Sequence, residues 1–111
     1  MPAAAGMMRP ALSRRATVDE EWSQSMKYAA VVQYGNRERI AEVRPAHRQY
    51  LTQLKQQGKL WASGPFTDDS GALIIYEAES EDEVRRLIEN DPFRRAGVFA
   101  SLELRHWNQV F

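Results

Sequence analysis

The fold is decided by residues 59–78, KLWASGPFTDDSGALIIYEA. Two parts of this stretch, residues 59–66 and 72–78, are rich in apolar, aromatic and β-branched side chains, which is typical of β-strands. The residues between them, 67–71, are polar and end in glycine, which predicts a tight loop. We therefore expect an antiparallel hairpin in the middle of the chain, with residues 72–78 as a central strand.

A helix follows this hairpin directly. Ser80 and Glu83 form a capping box, in which each side chain bonds a backbone N–H at the start of a helix. Pro92 disfavours helical geometry at Asp91, so we expect the helix to end at Asn90. Its buried stripe consists of Val84, Leu87 and Ile88.

The parts of the chain on either side add two more strands. Residues 27–34, KYAAVVQY, predict a mostly buried strand. Residues 98–107 alternate, so that one set of side chains faces one side of the sheet and a second set faces the other. The first set is Val98, Ala100, Leu102 and Leu104, and the second is Phe99, Ser101, Glu103, Arg105 and Trp107.

Residues 37–57 have helical periodicity, but Pro45 interrupts them. Because proline is favoured at the first position of a helix and costly inside one, we expect the main helix to begin near Pro45 and to end before Gly58. Residues 37–43 would then form a shorter turn. The inward face of the main helix carries His47, Tyr50, Leu51 and Leu54.

The order strand, helix, strand, strand, helix, strand predicts an α+β fold. The pattern is that of a ferredoxin-like βαββαβ sandwich, in which two helices cover one face of a four-stranded antiparallel sheet. The other face of this sheet also carries apolar residues and would otherwise be wet. We therefore expect a homodimer, in which two sheets pack face to face.

The 111 residues support one domain, which we place at residues 26–111. Residues 1–25 have little hydrophobic periodicity, and we expect them to be a disordered extension or upstream sequence translated from an early start codon. A mitochondrial presequence is the weaker alternative for them, because Pro2 and Pro10 oppose an amphipathic helix.

The composition excludes several classes of function. Fifteen basic and fifteen acidic residues cancel, which leaves no excess of positive charge for nucleic acid. No apolar run approaches the roughly 20 residues of a membrane span. The chain has no cysteine and only two histidines, far apart in sequence, so we expect no metal site and no cofactor. The expected setting is the cytoplasm, with a small molecule and a second copy as partners.

His47 and Asp91 are the candidate catalytic residues. The sandwich brings the residue after the second helix close to the start of the first helix, so the Asp91 carboxylate could orient the His47 imidazole. An imidazole oriented in this way is a plausible general base. Each residue also has a structural explanation, because a lone histidine on a helix face is often structural and an Asp before proline favours a turn.

The candidate substrate-binding residues lie around this pair. Arg44 could clamp a carboxylate or phenolate through its planar guanidinium, or equally pair with Glu42 or another surface acid. Ser63 could line a pocket at the end of its strand, while the structural explanation for Gly64 is a close approach of the backbone to another element.

Three aromatic residues have two open interpretations. Trp61, Phe93 and Trp107 could wall a pocket, or they could belong to the core of so small a domain. The second histidine, His106, has only Glu103 as an acidic neighbour and is interpreted as structural or exposed.

Residues 26–111 resemble the YciI-like family. The resemblance is carried by short motifs at 26–29 (MKYA), 44–47 (RPAH), 63–66 (SGPF), 91–93 (DPF) and 104–107 (LRHW). It implies a dimeric α+β barrel related in fold to muconolactone isomerases and small cofactor-free monooxygenases. It also implies a His–Asp site at His47 and Asp91, with Ser63 lining the pocket beside Gly64 and Pro65. A few family members act as lyases or dehydrochlorinases on hydroxylated aromatic compounds.

Two classes of function remain open from the sequence. In the first, the protein is a cofactor-free lyase or isomerase in which His47 moves a proton on a small cyclic or aromatic acid. Asp91 would orient His47, Arg44 would neutralise negative charge, and Ser63 would position the substrate. In the second, the dimer binds a small metabolite without chemistry. Oxygen-dependent oxidation without a cofactor ranks last, since only the fold kinship suggests it.

Overall fold

The computed structural model describes residues 25–111, which form a four-stranded antiparallel sheet with helices on one face. The order of the strands across the sheet is β2-β3-β1-β4. The strands are β1 (Met26–Tyr34), β2 (Leu60–Pro65), β3 (Gly71–Ala78) and β4 (Phe99–Trp107), and the helices are α1 (Ile40–Gln56), α2 (Glu81–Glu89) and α3 (Pro92–Arg95). This arrangement confirms the ferredoxin-like α+β sandwich. The extension predicted at residues 1–25 lies almost entirely outside the described residues.

The core lies between the sheet and the helices. Alternate residues of β1 face the helices, and they pair across the sheet with the inward residues of β3. The largest side chains with no exposed surface are those of Tyr76, Phe93, Ile74, Val32, Val84 and Val98. Because β1 and β3 are the two central strands, this core holds α1 and the segment 90–93 against the same part of the sheet.

The first helix begins earlier than the sequence predicted. A short 3₁₀ turn, Arg37–Arg39, leads directly into α1 at Ile40, so Pro45 lies inside the helix rather than at its start. Ile40 and Val43 are both buried on the face that continues through His47. Burying two such side chains contributes about 1.5–3 kcal/mol each, which offsets the roughly 3 kcal/mol cost of an interior proline.

The short helix α3 was not predicted from the sequence. Asp91 is its N-cap, with a side-chain oxygen that accepts the Phe93 N–H at 2.9 Å, and Pro92 occupies the first turn. An Asp followed by proline is a recognised signal for a helix start. The interpretation of this segment as a turn was therefore incomplete, because the turn continues into a helix.

The alternation predicted for the last strand is broken near its start. Gln33 pairs with Ser101 and Tyr34 pairs with Phe99, which leaves Ala100 without a partner in a β-bulge. The extra residue moves Phe99 to the helix side of the sheet, where it is 3% exposed. Placing Phe99 on the same face as Ser101 was therefore wrong.

The second face of the sheet carries exposed apolar side chains. Val31 and Leu73 pair across β1 and β3 and are 39% and 38% exposed. Trp61 and Trp107 lie at the edge of this face, with ring centroids 5.9 Å apart. The homodimer built on this face stays a prediction.

Candidate active site

Two buried polar side chains meet beneath α1. The Nδ1 atom of His47 lies 2.8 Å from Oδ1 and 3.0 Å from Oδ2 of Asp91. His47 is 7% exposed and Asp91 is completely buried. The sandwich topology explains the contact, because α1 carries the histidine inward and the junction between α2 and α3 carries the aspartate to the same place.

Hydrogen bonding determines which nitrogen of His47 is available. The Asp91 carboxylate accepts the Phe93 N–H through Oδ1, and as an ionised acceptor it favours a proton on His47 Nδ1. Since Nδ1 is occupied by Asp91, Nε2 is the ring nitrogen left for a ligand. Asp91 therefore caps a helix and orients an imidazole at the same time, so its two interpretations are compatible.

Aromatic rings hold the imidazole on its other sides. The Phe93 ring stacks on His47 at a centroid distance of 4.1 Å and an interplanar angle of 13°. The Phe99 ring meets His47 edge-on at 6.0 Å. Together with Asp91, these contacts restrict the ring to one orientation. Phe93 is thus a core residue that also forms one wall of the site.

A cavity of about 650 Å³ opens beside His47, between α1 and β2. Its volume falls in the range of about 300–1,000 Å³ that is usual for small-molecule sites. Asp91 lies behind the imidazole and does not line the cavity. The predicted residues that do line it are Arg44, His47, Ser63, Gly64, Pro65 and Phe93, together with Trp61.

Two of the alternatives left open by the sequence are decided by the structure. A Cβ added at Gly64 would meet no described atom within 4 Å, so close backbone approach does not explain this glycine. Trp107 is 36% exposed and does not line the cavity, so it belongs to neither the cavity wall nor the core, although its ring packs against that of Trp61.

Arg44 lines the cavity and also pairs with a surface acid, which is Asp69 rather than Glu42. Glu42 instead accepts a hydrogen bond from Arg39 at 2.9 Å. Arg44 Nη2 lies 3.5 Å from Oδ1 of Asp69 in the loop between β2 and β3. This Nη2 atom is buried and makes no hydrogen bond to any residue in the described range 25–111.

Several cavity residues were not identified from the sequence. Tyr34 ends β1 beside Arg44, and burial raises the pKa of its hydroxyl even though the nearby Arg44 charge acts in the opposite direction. Arg48, Thr52 and Lys55 continue the wall along α1. The spacing of Arg44, Arg48 and Thr52 by four residues marks one helix face and was an available signal.

The cavity wall is positively charged. Arg44, Arg48 and Lys55 line it, and no Asp or Glu belongs to the lining. Such a wall favours an anionic ligand. Among the described residues, no three His, Cys, Asp or Glu side chains are grouped to hold a metal ion. None of the helices within residues 25–111 is both long and apolar enough to cross a membrane.

Two curated relatives match most of this domain. The chain is 31% identical to Protein YciI of Escherichia coli O6:H1, in a match that covers 67% of this chain and 86% of that protein. It is 29% identical to the uncharacterized protein YjpA of Bacillus subtilis, over 65% of this chain and 79% of that protein.

Solved structures with the same fold include one with substantial sequence identity. The 5-chloro-2-hydroxyhydroquinone dehydrochlorinase (TftG) of Burkholderia phenoliruptrix AC1100, in complex with 2,5-dihydroxybenzoquinone, is 35% identical with a TM-score of 0.66. The match covers 76% of this chain and 95% of that one. A putative antibiotic biosynthesis monooxygenase from Bacteriodes thetaiotaomicron, 11% identical with a TM-score of 0.56, covers 78% of this chain and 90% of its own and shares the fold alone.

The family model of the YCII-related domain matches residues 26–108. This range contains every strand and helix of the sandwich, the buried His47–Asp91 pair and the whole cavity wall. The chain is therefore a member of the YCII-related domain family.

Proposed function

We propose that the protein is a cofactor-free enzyme of the lyase or isomerase type that transfers a proton on a small hydroxylated ring compound. The observation that carries this proposal is the buried His47–Asp91 pair at the wall of a cationic cavity. Additional support comes from the neighbour that is 35% identical, which is named a dehydrochlorinase and was solved with a dihydroxybenzoquinone.

His47 Nε2 is the proposed proton acceptor. When it takes a proton from the substrate, the resulting imidazolium is stabilised by the Asp91 carboxylate, 2.8 Å from Nδ1. In an elimination, the electrons of the broken bond to hydrogen form a new double bond. The leaving group, such as chloride, departs from the ring with its own bonding pair. The net change is loss of HCl, which needs no electron acceptor.

Arg44 and Ser63 are the proposed substrate-binding groups. The Arg44 guanidinium neutralises the negative charge that develops on a ring oxygen as the proton leaves. Ser63 supplies a hydroxyl from the opposite wall, next to Gly64 and Pro65. Phe93 stacks on His47 and so fixes the orientation of the imidazole at the cavity wall. In an isomerisation, the same imidazolium would return its proton to a different carbon.

The proposal is tested by measuring chloride release from 5-chloro-2-hydroxyhydroquinone under anaerobic conditions. Losing a general base reduces the rate by about 10²- to 10⁴-fold, which is the effect expected for His47→Gln. His106→Gln is the matched control, since His106 is exposed and stacks on Tyr28 away from the cavity. Equal rates for the wild type and His47→Gln would contradict the proposal.

The second candidate function is a homodimer that binds a small anionic metabolite without transforming it. The size and charge of the cavity favour binding whether or not His47 is reactive. This candidate is favoured if His47→Gln and the wild type bind 2,5-dihydroxybenzoquinone with equal affinity and the wild type releases no chloride from 5-chloro-2-hydroxyhydroquinone. Its cytoplasmic location, like that of the enzyme, remains a prediction of the sequence.

A further inference from the structure

Two side chains from distant parts of the chain, Tyr34 and Arg44, line one end of the cavity, and Asp69 contacts Arg44 from outside the lining. Tyr34 comes from the end of β1, Arg44 from α1 and Asp69 from the loop between β2 and β3. Only Arg44 among them was expected to bind a ligand. Their arrangement determines what kind of ligand this end of the cavity accepts.

The Arg44 guanidinium has an unused hydrogen-bond donor. Its Nη2 atom is buried but makes no hydrogen bond within residues 25–111. The distance of 3.5 Å to Asp69 Oδ1 exceeds the usual 2.7–3.2 Å of an N–H···O hydrogen bond. A buried donor without an acceptor is unfavourable, and a ligand oxygen in the cavity would satisfy it.

The hydroxyl of Tyr34 is suited to donate to the same ligand atom. Burial raises the pKa of Tyr34, so the phenol keeps its proton at neutral pH and can donate it in a hydrogen bond. The neighbouring Arg44 cannot accept that hydrogen bond, because a guanidinium has donors only. An Arg44 N–H can donate to the Tyr34 oxygen, which leaves the Tyr34 O–H, and the buried Arg44 Nη2 that makes no hydrogen bond within residues 25–111, to donate to a ligand at the cavity wall.

Asp69, the acidic neighbour of Arg44, is itself held in place by Arg37. Its backbone carbonyl accepts hydrogen bonds from both terminal nitrogens of Arg37 at 3.3 Å, and its carboxylate lies 3.6 Å from Arg37 Nη2. The residue adopts a φ of 61°, which is uncommon for a residue other than glycine. The loop thus places the Asp69 carboxylate beside Arg44 Nη2, but beyond hydrogen-bond distance from it.

We propose that Tyr34 and Arg44 form an oxyanion subsite that selects ligands carrying an ionised ring oxygen close to His47. Arg44 precedes His47 by three residues on α1, which places their Cβ atoms about 5–6 Å apart. The Tyr34 ring meets Phe93 edge-on at 5.9 Å, and Phe93 stacks on His47. The subsite and the imidazole therefore share one wall, and a single small ring spans both.

The ligand class is that of ionised phenols and hydroxyquinones. The negatively charged oxygen would be bonded to a ring carbon one or two positions away from the carbon at which the proton is transferred. This inference rests on the proposed function for the position of that carbon. Its test measures binding alone, so the two proposals can fail separately.

The test compares two quinones of the same ring size by titration calorimetry. The hydroxyls of 2,5-dihydroxybenzoquinone are ionised at neutral pH, whereas 2,5-dimethoxybenzoquinone is uncharged. We expect Tyr34→Phe and Arg44→Gln each to weaken binding of the ionised quinone by about 10- to 100-fold, the range for a hydrogen bond to a charged group. Binding of the dimethoxy compound should change by less than about twofold.

Matched controls separate the subsite from general effects on folding. Tyr28→Phe removes a hydroxyl outside the cavity, and Arg85→Gln removes an exposed cation that pairs with Glu81. Both should bind the ionised quinone as the wild type does. The proposal is overturned if the wild type does not prefer the ionised quinone, or if Tyr34→Phe keeps that preference. If the wild type prefers the ionised quinone but releases no chloride, the oxyanion subsite is supported and the proposed enzymatic function is contradicted.

Discussion

Asp91 combines two roles in one carboxylate. It caps α3 through the Phe93 N–H at 2.9 Å and holds His47 Nδ1 at 2.8 Å. The first role stabilises the fold and the second selects an imidazole tautomer. Removing the whole side chain would abolish both, and the loss of an N-cap alone costs about 1 kcal/mol. A substitution that separates the two roles is therefore needed.

Asp91→Asn makes this separation. The amide oxygen can still cap the Phe93 N–H, but the amide NH₂ would donate to His47 Nδ1 and move the imidazole proton to Nε2. We expect near-native stability and a shift to the Nε2–H tautomer, seen in the ¹⁵N NMR signals of the imidazole. The proton-transfer rate should fall by about 10²-fold or more. An unchanged tautomer would show that Asp91 does not orient His47.

The meeting of His47 with Asp91 was predictable, because topology alone brings the end of α2 beneath α1. The contacts around Arg44 were not. They depend on the loop conformation at Asp69, where a φ of 61° has no sequence signal other than a polar loop. Tyr34 was missed for a similar reason, since a tyrosine at a strand end is equally compatible with the core.

At the level of elements, Glu83 joins α2 to the sheet. Ser80 Oγ accepts the Glu83 N–H at 3.2 Å, as the capping box predicted, whereas the Glu83 carboxylate accepts the N–H of Glu79, one residue before the cap, at 3.0 Å. The same carboxylate binds Lys59 Nζ at 2.5 Å. The hydrogen bond from Lys59, followed by that from Glu79, lowers the pKa of Glu83 below its usual 4.5.

This network predicts a pH-dependent contribution to stability. Because the pKa of Glu83 is lower in the folded state, the contribution is fully present above about pH 4.5 and is lost as the pH falls below that value. We expect Glu83→Gln to be less stable than the wild type by about 0.5 kcal/mol at pH 7, with the difference shrinking towards pH 3 in urea titrations.

Lys59→Gln removes the other partner of the same ion pair. We expect this variant to be less stable than the wild type at pH 7, and the difference in stability to shrink over the same pH range. A difference from the wild type that stays constant between pH 7 and pH 3 would contradict the role given to Glu83.

In two elements, α1 and β4, tertiary packing overrides the structure that the local sequence predicts. Pro45 argued for a helix start, yet buried Ile40 and Val43 extend α1 by a turn and a half before it. The bulge at Ala100 reversed the facing of Phe99, because packing against His47 and Phe93 decides which side of the sheet this ring occupies. The existence and order of the elements were predictable, since they depend on long apolar patterns.

At the scale of the whole molecule, the sheet has one covered face and one open face. The open face exposes Val31, Leu73, Trp61 and Trp107 to between 36% and 39%. An exposed apolar surface of this kind is typical of a protein interface. The predicted homodimer would cover it and leave both cavities on the outer, helical sides.

We expect light scattering to give the mass of a dimer at micromolar concentration and the mass of a monomer for Leu73→Lys. A lysine at this position would place an unpaired charge in the apolar interface, which costs several kcal/mol when it is buried. Gln57→Lys, at the exposed end of α1, is the control and should remain dimeric. A monomeric mass for the wild type would contradict the predicted homodimer.

We propose that His47, oriented by Asp91, moves a proton on a ring bound in the cavity. The most direct test is deuterium incorporation from D₂O into the ring C–H positions of 1,2,4-trihydroxybenzene, followed anaerobically by proton NMR. We expect the wild type to catalyse the exchange and His47→Gln to fall to the rate without protein. The same rate with both proteins, or no catalysis by the wild type, would contradict the claim.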